Sequence, residues 1–492
     1  MTASATRGFY ETEGTSVTAS EKKLSRTALT AMVVGSMVGA GIFSLPATFG
    51  NATGPFGALV AWTIAGLGMF TLARVFQALA VRKPALDAGI FAYAREGFGN
   101  YAGFIAAFGF WASSCLGNVT YWVLIKSTLG KVWPAFGEGD TVQAVVVSSI
   151  LLWAFHALIL RGVKEAAGIN TIVTIAKIIP IVLFIVILIG AFRAGLFASN
   201  FWGGETVSFS GVIGQIRSTM LATVFVFIGI EGASVYSRYA KERKDVGWAT
   251  VMGFIGVLGL MVLVTILPYA VMTRSELGEL RQPSMAGVLQ HVVGTWGAVF
   301  VSVGLMVSVL GAYLAWTLLA AEALHASSKA GLTPKAFSHE NHREVPSTAL
   351  WVTNLLVQAF LILTLFAESA FDMVLEMTSS MTLVPYFLVA AYALKLALTG
   401  DTYEADPRAV RKRALIVACV AVVYTGFMLY AGGLAYVLLA CILFAPGTIL
   451  YAIARRERRS RWFNRGEVLV AAAIVLGAVA GIVGLVSGRI TL

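Results

Sequence analysis

The feature that most constrains this chain of 492 residues is a succession of apolar segments, each about 20 residues long. A helix of that length crosses the roughly 30 Å hydrocarbon core of a bilayer. Hydrophobic residues make up 58% of the chain and charged residues only 12%, whereas soluble domains carry about a quarter charged residues. Because so few charges cannot cover a large soluble enzyme, the chain is predicted to be an all-α polytopic membrane protein.

Thirteen apolar segments are predicted, and their ends can shift by a few residues. They are 27–50, 56–80, 101–126, 141–160, 169–192, 215–238, 247–272, 292–325, 348–367, 371–395, 413–431, 434–454 and 467–487. The eighth is long enough to project into the cytoplasm, and the hairpin at residues 431–433 is the weakest division. Residues 1–26 are polar and precede an apolar stretch too long for a signal peptide, so we interpret them as a cytoplasmic tail.

The basic residues predict which side of the membrane each loop faces. With the N-terminus inside and the segments alternating, the cytoplasmic stretches hold 27 of the 36 Lys and Arg residues and the outer stretches hold 6. Arg74, Lys126 and Lys177 lie within segments. Basic residues are retained on the cytoplasmic side of membrane proteins. We therefore interpret the net charge of +11 as setting orientation, with no nucleic-acid partner and with the C-terminus outside.

The chain offers little for metal or covalent chemistry. Its three cysteines lie in apolar stretches, which argues against a disulfide framework and a cysteine-based zinc site. Of the five histidines, only His156 is expected at mid-membrane, and neither an HExxH motif nor a usable GxSxG motif occurs. An intramembrane enzyme is therefore the disfavoured alternative, and no cofactor and no metal are expected.

Glycines interrupt the first and sixth segments near their middles. The first reads GSMVGAGIFSLP over residues 35–46, and the sixth reads FIGIEG over residues 227–232. Irregular backbone at that depth is tolerated only beside protein or a watery cavity, and paired breaks of this kind point to a transport site. A half-helix N-terminus attracts an anionic group, while freed carbonyls accept from an ammonium. The alternative is that these glycines serve close helix packing.

Several motifs resemble those of the amino acid–polyamine–organocation transporters. They are residues 35–46, 227–233 and 87–94 (DAGIFAYA). Other motifs are similar to the bacterial arginine/ornithine antiporters of the basic amino acid antiporter branch, namely residues 160–167 (LRGVKEAA), 227–234 (FIGIEGAS), 401–404 (DTYE) and 429–434 (LYAGGL). The resemblance runs from about residue 22 to the end of the chain.

The resemblance implies a LeuT-like fold and transport by alternating access. Two inverted five-helix repeats are expected at 27–192 and 193–395, with discontinuous first and sixth helices, and accessory helices at 396–492. The favoured function is exchange of external arginine for internal ornithine across the bacterial cytoplasmic membrane. The expected partners are cationic amino acids and the lipid bilayer. A lysine permease or a proton-coupled symporter on the same scaffold is the alternative, and a homodimer is left open.

The resemblance also implies where the ends of a substrate bind. Related arginine/agmatine antiporters hold the substrate carboxylate at the first-helix break, which falls here on Gly39, Ala40 and Gly41. Ala40 replaces a serine of those relatives, so only backbone donors are left there. Asn118 matches an asparagine of those relatives and has the donors and the acceptor for a guanidinium or amine. Its alternative role is an interhelical hydrogen bond.

Four further residues belong to the predicted substrate site. Trp316 matches a tryptophan that flanks the substrate in the family, and its alternative role is a core or interfacial position. Phe225 occupies the position of a tryptophan that stacks on the guanidinium, and its ring attracts a cation less strongly than Trp does. Cys115 and Ile228 complete the set.

Three charged residues are expected to govern gating or coupling, since a charge in the membrane is costly. Glu231 matches a family glutamate linked to gating and protonation, and it is interpreted as a conformational latch or a structural tie. Lys177 matches a lysine that replaces a sodium ion in some proton-coupled relatives, or it extends to the membrane edge. Glu322, six residues beyond Trp316, lines an inner exit path or pairs with a basic residue.

Overall fold

The computed structural model describes residues 26–86, 89–162, 166–203, 209–231, 243–367 and 369–490. All regular structure in these ranges is helical. The α-helices are α1 (Arg26–Met37), α2 (Leu45–Ala52), α3 (Pro55–Arg82), α4 (Ile90–Phe98), α5 (Asn100–Gly130), α6 (Val142–Leu160), α7 (Ala166–Gly190), α8 (Ala194–Asn200), α9 (Phe209–Phe225), α10 (Arg243–Ile266), α11 (Arg274–Gly278), α12 (Ser284–Val293), α13 (Thr295–Lys329), α14 (Ser347–Leu363), α15 (Ala370–Thr399), α16 (Arg408–Ala431), α17 (Leu434–Glu457) and α18 (Arg465–Val486). Short 3-10 helices are found at Ala40–Ser44, Pro134–Phe136, Leu267–Ala270 and Lys335–Ser338.

Where the structure describes them, the apolar segments predicted from the sequence coincide with helices, apart from interruptions at residues 38–39 and 226–231. Residues 232–238 of the sixth segment lie outside the described residues. Within the described ranges, 9 helices are long and apolar enough to cross a membrane, or 10 if the end of α7 and α8, bent by 104°, form one span. The other predicted segments fall on the α1–α2 pair, on α9 and on the 17-residue α14. The prediction of an all-helical, multi-pass membrane protein is therefore confirmed.

Four helices had not been predicted, namely α4, α8, α11 and α12. Each has ten residues or fewer, which is too short to be found by a search for membrane-spanning length. Residues 292 and 293 belong to α12, because Gly294 adopts a φ of 83° and separates it from α13. The long eighth segment is nevertheless present, since α13 has 35 residues and is about 50 Å long.

Loops predicted to lie on the cytoplasmic side contact one another. Arg82 forms a 2.7 Å ion pair with Asp406, and its guanidinium carbon lies 3.5 Å from the centre of the Tyr403 ring. The side chain of Arg95 donates to the carbonyl of Ala330 at 3.0 Å. Tyr403 lies within the DTYE motif and Asp406 lies two residues after it, so this stretch of the chain holds the C-terminal end of α3.

Loops predicted to lie outside also contact one another. Arg274 donates to the carbonyls of Gly50 and Gly203, at 3.1 and 2.6 Å, and Asn200 donates to the carbonyl of Tyr269 at 2.8 Å. These pairings agree with the alternation of the segments derived from the charges.

The centre of the bundle is α5, which packs against α13 and α15. The described residues of α5 are buried along most of its length. Small residues permit close contact elsewhere, as at Gly304 of α13, where a Cβ would lie 2.3 Å from the ring of Pro180 in α7. The broken helices α1–α2 and α9 lie beside this centre, so both breaks open toward α5.

Candidate functional site

The first membrane segment is interrupted where the glycines predicted it. Helix α1 ends at Met37, Gly39 is extended with φ −94° and ψ −166°, and a 3-10 turn from Ala40 continues into α2. The first N–H groups of any helix have no partner within it. The N–H of Gly39 donates to the carbonyl of Met37 at 2.9 Å, so the donors left at the positive end of this helix dipole are those that begin the 3-10 turn at Ala40.

The second break meets the first directly. Helix α9 ends at Phe225, and the turns that follow place Gly229 at a φ of 106°. The Ser36 hydroxyl donates to the carbonyl of Gly229 at 3.2 Å. A Cβ at Gly229 would lie 2.3 Å from the carbonyl oxygen of Ser36, so only glycine fits here. The contact joins two breaks that are 193 residues apart in the chain.

A cavity of about 460 Å³ lies between the two breaks. This volume includes space that is open to solvent. Its lining comes from α1 and the first break, from α5, from α9 and the second break, and from α13 and α15. The lining residues are Ser36, Met37, Gly39, Ala40, Gly41, Ser113, Ser114, Gly117, Tyr121, Phe225, Val226, Ile228, Trp316 and Thr378. Within the described ranges, none of them is Asp, Glu, Lys, Arg or His.

The hydroxyl groups that line the cavity differ from the first break in the hydrogen-bonding groups that they present to it. Ser113 and Ser114 both donate to the carbonyl of Phe110 at 2.8 Å, and Thr378 donates to the carbonyl of Val374 at 2.6 Å. Each hydroxyl has one hydrogen and two lone pairs. Because the hydrogens are used within their own helices, these three residues offer acceptors to the cavity, whereas the first break offers donors.

Two predicted aromatic residues line the cavity. A Cβ at Gly41 would lie 2.7 Å from two ring carbons of Phe225, so the ring is packed directly on the first break. Trp316 of α13 is half-buried at the cavity wall. Phe225 and Trp316 thus bring two aromatic rings to a site that has acceptor oxygens, the surroundings that suit a cation.

Asn118 and Cys115 lie behind the lining. Both side chains are fully buried, and neither residue lines the cavity. The Asn118 amide donates to the Thr317 hydroxyl at 3.1 Å, which is the interhelical bond considered from the sequence. Its Oδ1 has no hydrogen-bond partner within the described part of the chain. Asn118 thus bonds α5 to α13 from behind the cavity wall.

Glu231 connects the second break to α15. The backbone N–H of Gly229 donates to its Oε2 at 3.2 Å, and the Tyr386 hydroxyl donates to the same oxygen. The carboxylate thus bonds to the turn of the second break and to α15. Both a conformational latch and a structural tie require such bonds.

Lys177 connects α7 to the first break. Its side chain is 4% exposed, and its Nζ donates to the carbonyl of Gly35 at 2.5 Å. The ammonium is therefore bonded inside the bundle beside the end of α1.

Glu322 lies away from the cavity, on the exposed surface of α13. Near the end of this helix Lys329 donates to Glu340 at 2.7 Å, and His325 lies 2.8 Å from the same carboxylate oxygen. The ammonium of Lys329 holds the pKa of Glu340 below its usual range. This contact fastens the end of α13 to the following loop.

The cavity includes residues that the sequence analysis missed. Among them are Ser113, Ser114, Gly117 and Tyr121. Gly117 lies four positions after Ser113 and three after Ser114, and Tyr121 lies four after Gly117, so these residues line one side of α5. Thr378 of α15 is a fifth. Small and polar residues at helical spacing in an apolar segment were the available signal. The motifs at residues 87–94 and 160–167 lie partly outside the described residues.

Comparison with known proteins decides the family. Residues 24–447 match the family model described as amino acid permease. The chain belongs to that family. The resemblance to the amino acid–polyamine–organocation transporters is thereby confirmed, and this permease has relatives of similar length.

Three of these relatives bear on function. The arginine/ornithine antiporter of Pseudomonas aeruginosa is 51% identical, over 96% of this chain and 99% of the relative. The L-lysine transport protein of Corynebacterium glutamicum is 39% identical, over 96% and 97%. The arginine/agmatine antiporter of Chlamydia pneumoniae is 37% identical, over 97% and 99%. All three names describe membrane transport.

Proposed function

We propose that this permease exchanges arginine for ornithine across the bacterial cytoplasmic membrane by alternating access. The name of the P. aeruginosa relative, which matches nearly the whole chain, supports this pair of substrates. Both substrates carry the same charge at neutral pH, so the exchange is electroneutral. Transport rather than catalysis is the activity proposed.

The polarity of the cavity carries the proposal. The first break offers backbone N–H groups, which suit a carboxylate. Ser113, Ser114 and Thr378 offer lone pairs, and Phe225 and Trp316 offer aromatic faces, which suit a guanidinium or an ammonium. A cationic amino acid has these two groups at opposite ends.

We propose the following architecture for the exchange. Residues 27–192 and 193–395 are two inverted repeats, 396–492 is accessory, and the N-terminus is cytoplasmic, as the charges predict. The first segment of each proposed repeat contains a break, and the two breaks meet at Ser36 and Gly229. The ties of Glu231 and Lys177 to these breaks suit a role in gating, and Glu322 is assigned to an inner path by position alone.

Labelled arginine uptake into proteoliposomes tests the function. Vesicles loaded with ornithine should take up arginine, and empty vesicles should not. Because no net charge moves, an imposed membrane potential should leave the rate unchanged, and removal of sodium should do the same. Equal uptake into empty vesicles would refute exchange.

Two tryptophans on the same helix test the site separately from the function. Trp316→Leu should raise the KM for arginine roughly 2- to 30-fold, since a cation–π contact contributes about 0.5–2 kcal/mol. Trp296→Leu is the matched control, because Trp296 is 56% exposed at the other end of α13. Exchange with an unchanged KM in the Trp316 variant would retain the function and reject the site.

A lysine permease is the second candidate, and the C. glutamicum relative favours it. Such a carrier moves net positive charge inward. Lysine uptake into empty vesicles that rises with an inside-negative potential would support this candidate in place of exchange.

A further inference from the structure

The connection between α17 and α18 is a rigid turn rich in arginine. The N–H of Ser460 donates to the carbonyl of Arg455 at 3.1 Å, and Nε of Arg455 donates to the carbonyl of Arg461 at 3.0 Å. The N–H of Arg459, a residue with φ 49°, donates to the carbonyl of Arg456 at 3.0 Å. These bonds fold the turn back on the end of α17.

The turn is also fastened to the helix that carries Trp316. The guanidinium of Arg458 donates to the carbonyl of Ser328 at 2.7 Å, near the end of α13. A Cβ at Gly331 would lie 2.3 Å from the same guanidinium. Arg458 and Arg455 therefore serve the fold, and they hold the other arginines of the turn in place.

The charges of the other arginines in the turn are not neutralised by an ion pair with a described residue. Residues 455–467 contain six Arg and two Glu, a net charge of +4. Glu457 accepts from the backbone N–H of Lys335 at 2.8 Å, and Glu467 accepts from those of Tyr101 and Asn464 at 3.0 and 2.8 Å. Four exposed arginines make no side-chain ion pair or hydrogen bond with any described residue. They are Arg456, Arg459, Arg461 and Arg465.

Apolar side chains flank these arginines on both helices. Ile449 and Ile453 of α17, and Val468 and Leu469 of α18, are exposed at the surface. Trp462, in the turn itself, is 53% exposed. Tryptophan favours the boundary between headgroups and acyl chains. Exposed arginines next to lipid-facing apolar side chains match the two parts of a phospholipid molecule.

We propose that this turn is a binding site for an anionic phospholipid of the cytoplasmic leaflet. The arginine guanidinium groups pair with the headgroup phosphate, for which their planar donors are suited. Trp462 and the neighbouring apolar side chains contact the acyl chains. Orientation alone requires basic charge on this side, but it does not require a rigid turn with unpaired arginines, and this combination distinguishes the site.

Lipid binding to the purified full chain tests the proposal without any transport assay. Native mass spectrometry and thermal unfolding in detergent are recorded with added phosphatidylglycerol or phosphatidylcholine. The test variant replaces three arginines with Gln, and the control replaces three exposed basic residues at the start of α16. These are Arg456, Arg459 and Arg465 in the test variant and Arg408, Lys412 and Arg413 in the control.

Phosphatidylglycerol should remain bound to the wild type and raise its Tm, and phosphatidylcholine should do neither. The test variant should bind phosphatidylglycerol about 100-fold more weakly, since each basic residue near an anionic surface contributes about fivefold. Its Arg→Lys counterpart should bind more tightly than the Gln variant but more weakly than the wild type, because Lys keeps the charge and loses the planar donors. The control variant should match the wild type. Inorganic phosphate should leave the Tm unchanged.

Three results would overturn the proposal. Equal binding of the two lipids by the wild type would show that charge recognition is absent. If the control variant lost as much phosphatidylglycerol binding as the test variant, basic charge in general, and not this turn, would account for the binding. A rise in Tm with inorganic phosphate as large as that with phosphatidylglycerol would show that the turn binds free anions and not a lipid.

Discussion

Replacement of Gly41 by Ala tests the contact between the first break and Phe225. The new Cβ would lie 2.7 Å from two ring carbons of Phe225 and 3.0 Å from Cγ1 of Val226. Carbon atoms pack best at about 3.5–4.0 Å, so the ring must move away from residue 41 by about 1 Å. Inserting a methyl group into a packed interior costs roughly 1–3 kcal/mol. Gly41→Ala should lower the unfolding temperature in detergent and weaken arginine binding.

Gly39→Ala is the matched control on the same strand of backbone. Gly39 has a φ of −94°, which any residue adopts, and its Cβ would meet only the Tyr121 hydroxyl, at 3.9 Å. This variant should unfold at the wild-type temperature when heated at the same rate. In Gly41→Ala, adding Phe225→Leu should recover part of the lost stability, because the clashing ring carbons are removed. A wild-type unfolding temperature for Gly41→Ala, or no recovery with Phe225→Leu, would refute the reasoning.

Three further substitutions test the contacts made by Glu231, by Lys177 and, at the end of α13, by Glu340. Tyr386→Phe removes a hydrogen bond to Glu231, worth roughly 1.5–3 kcal/mol if the carboxylate is charged, and should slow arginine exchange more than it weakens arginine binding. Lys177→Gln removes the ammonium bonded to the first break and should lower both the unfolding temperature and the exchange rate. Glu340→Gln should lower the Tm at neutral pH. Because Lys329 depresses the pKa of Glu340, its contribution is present above the ordinary carboxylate pKa of about 4.3 and is lost as the pH falls through the depressed value. The Tm difference should therefore vanish in acid.

Two of these tests have a matched control residue in the chain, and the third is checked by its pH dependence. Tyr424→Phe removes a buried hydroxyl without a described hydrogen-bond partner, so it should leave exchange unchanged. Lys395→Gln also removes a lysine bonded to a carbonyl, that of Gly97 at 2.7 Å, but away from both breaks. Equal effects within either pair would contradict the proposed roles. A Tm difference for Glu340→Gln that does not shrink as the pH falls below the ordinary carboxylate pKa would contradict the electrostatic reason.

Features that depend only on residues close together in the sequence could be predicted well. The length of an apolar segment is a local property, and so is a cluster of glycines. The predicted segments therefore coincide with helices, and the breaks occur beside Gly39 and Gly229. The charges predicted an alternation of loops that agrees with contacts such as Arg82 with Asp406. Short helices such as α12 escaped prediction because their length carries no membrane signal.

Segment length, charge and motifs lie along the chain itself, and they were sufficient to predict a multi-pass helical membrane protein that resembles the amino acid–polyamine–organocation transporters. Which face of α5 lines the cavity, and which groups meet across it, follow from the packing of the helices and were not predicted. Glu231 and Tyr386 are 155 residues apart, and Lys177 and Gly35 are 142 apart. Such contacts depend on the rotation and relative height of packed helices. Hydropathy does not encode these quantities, since an α5 that is apolar all round could present any of its faces to the cavity.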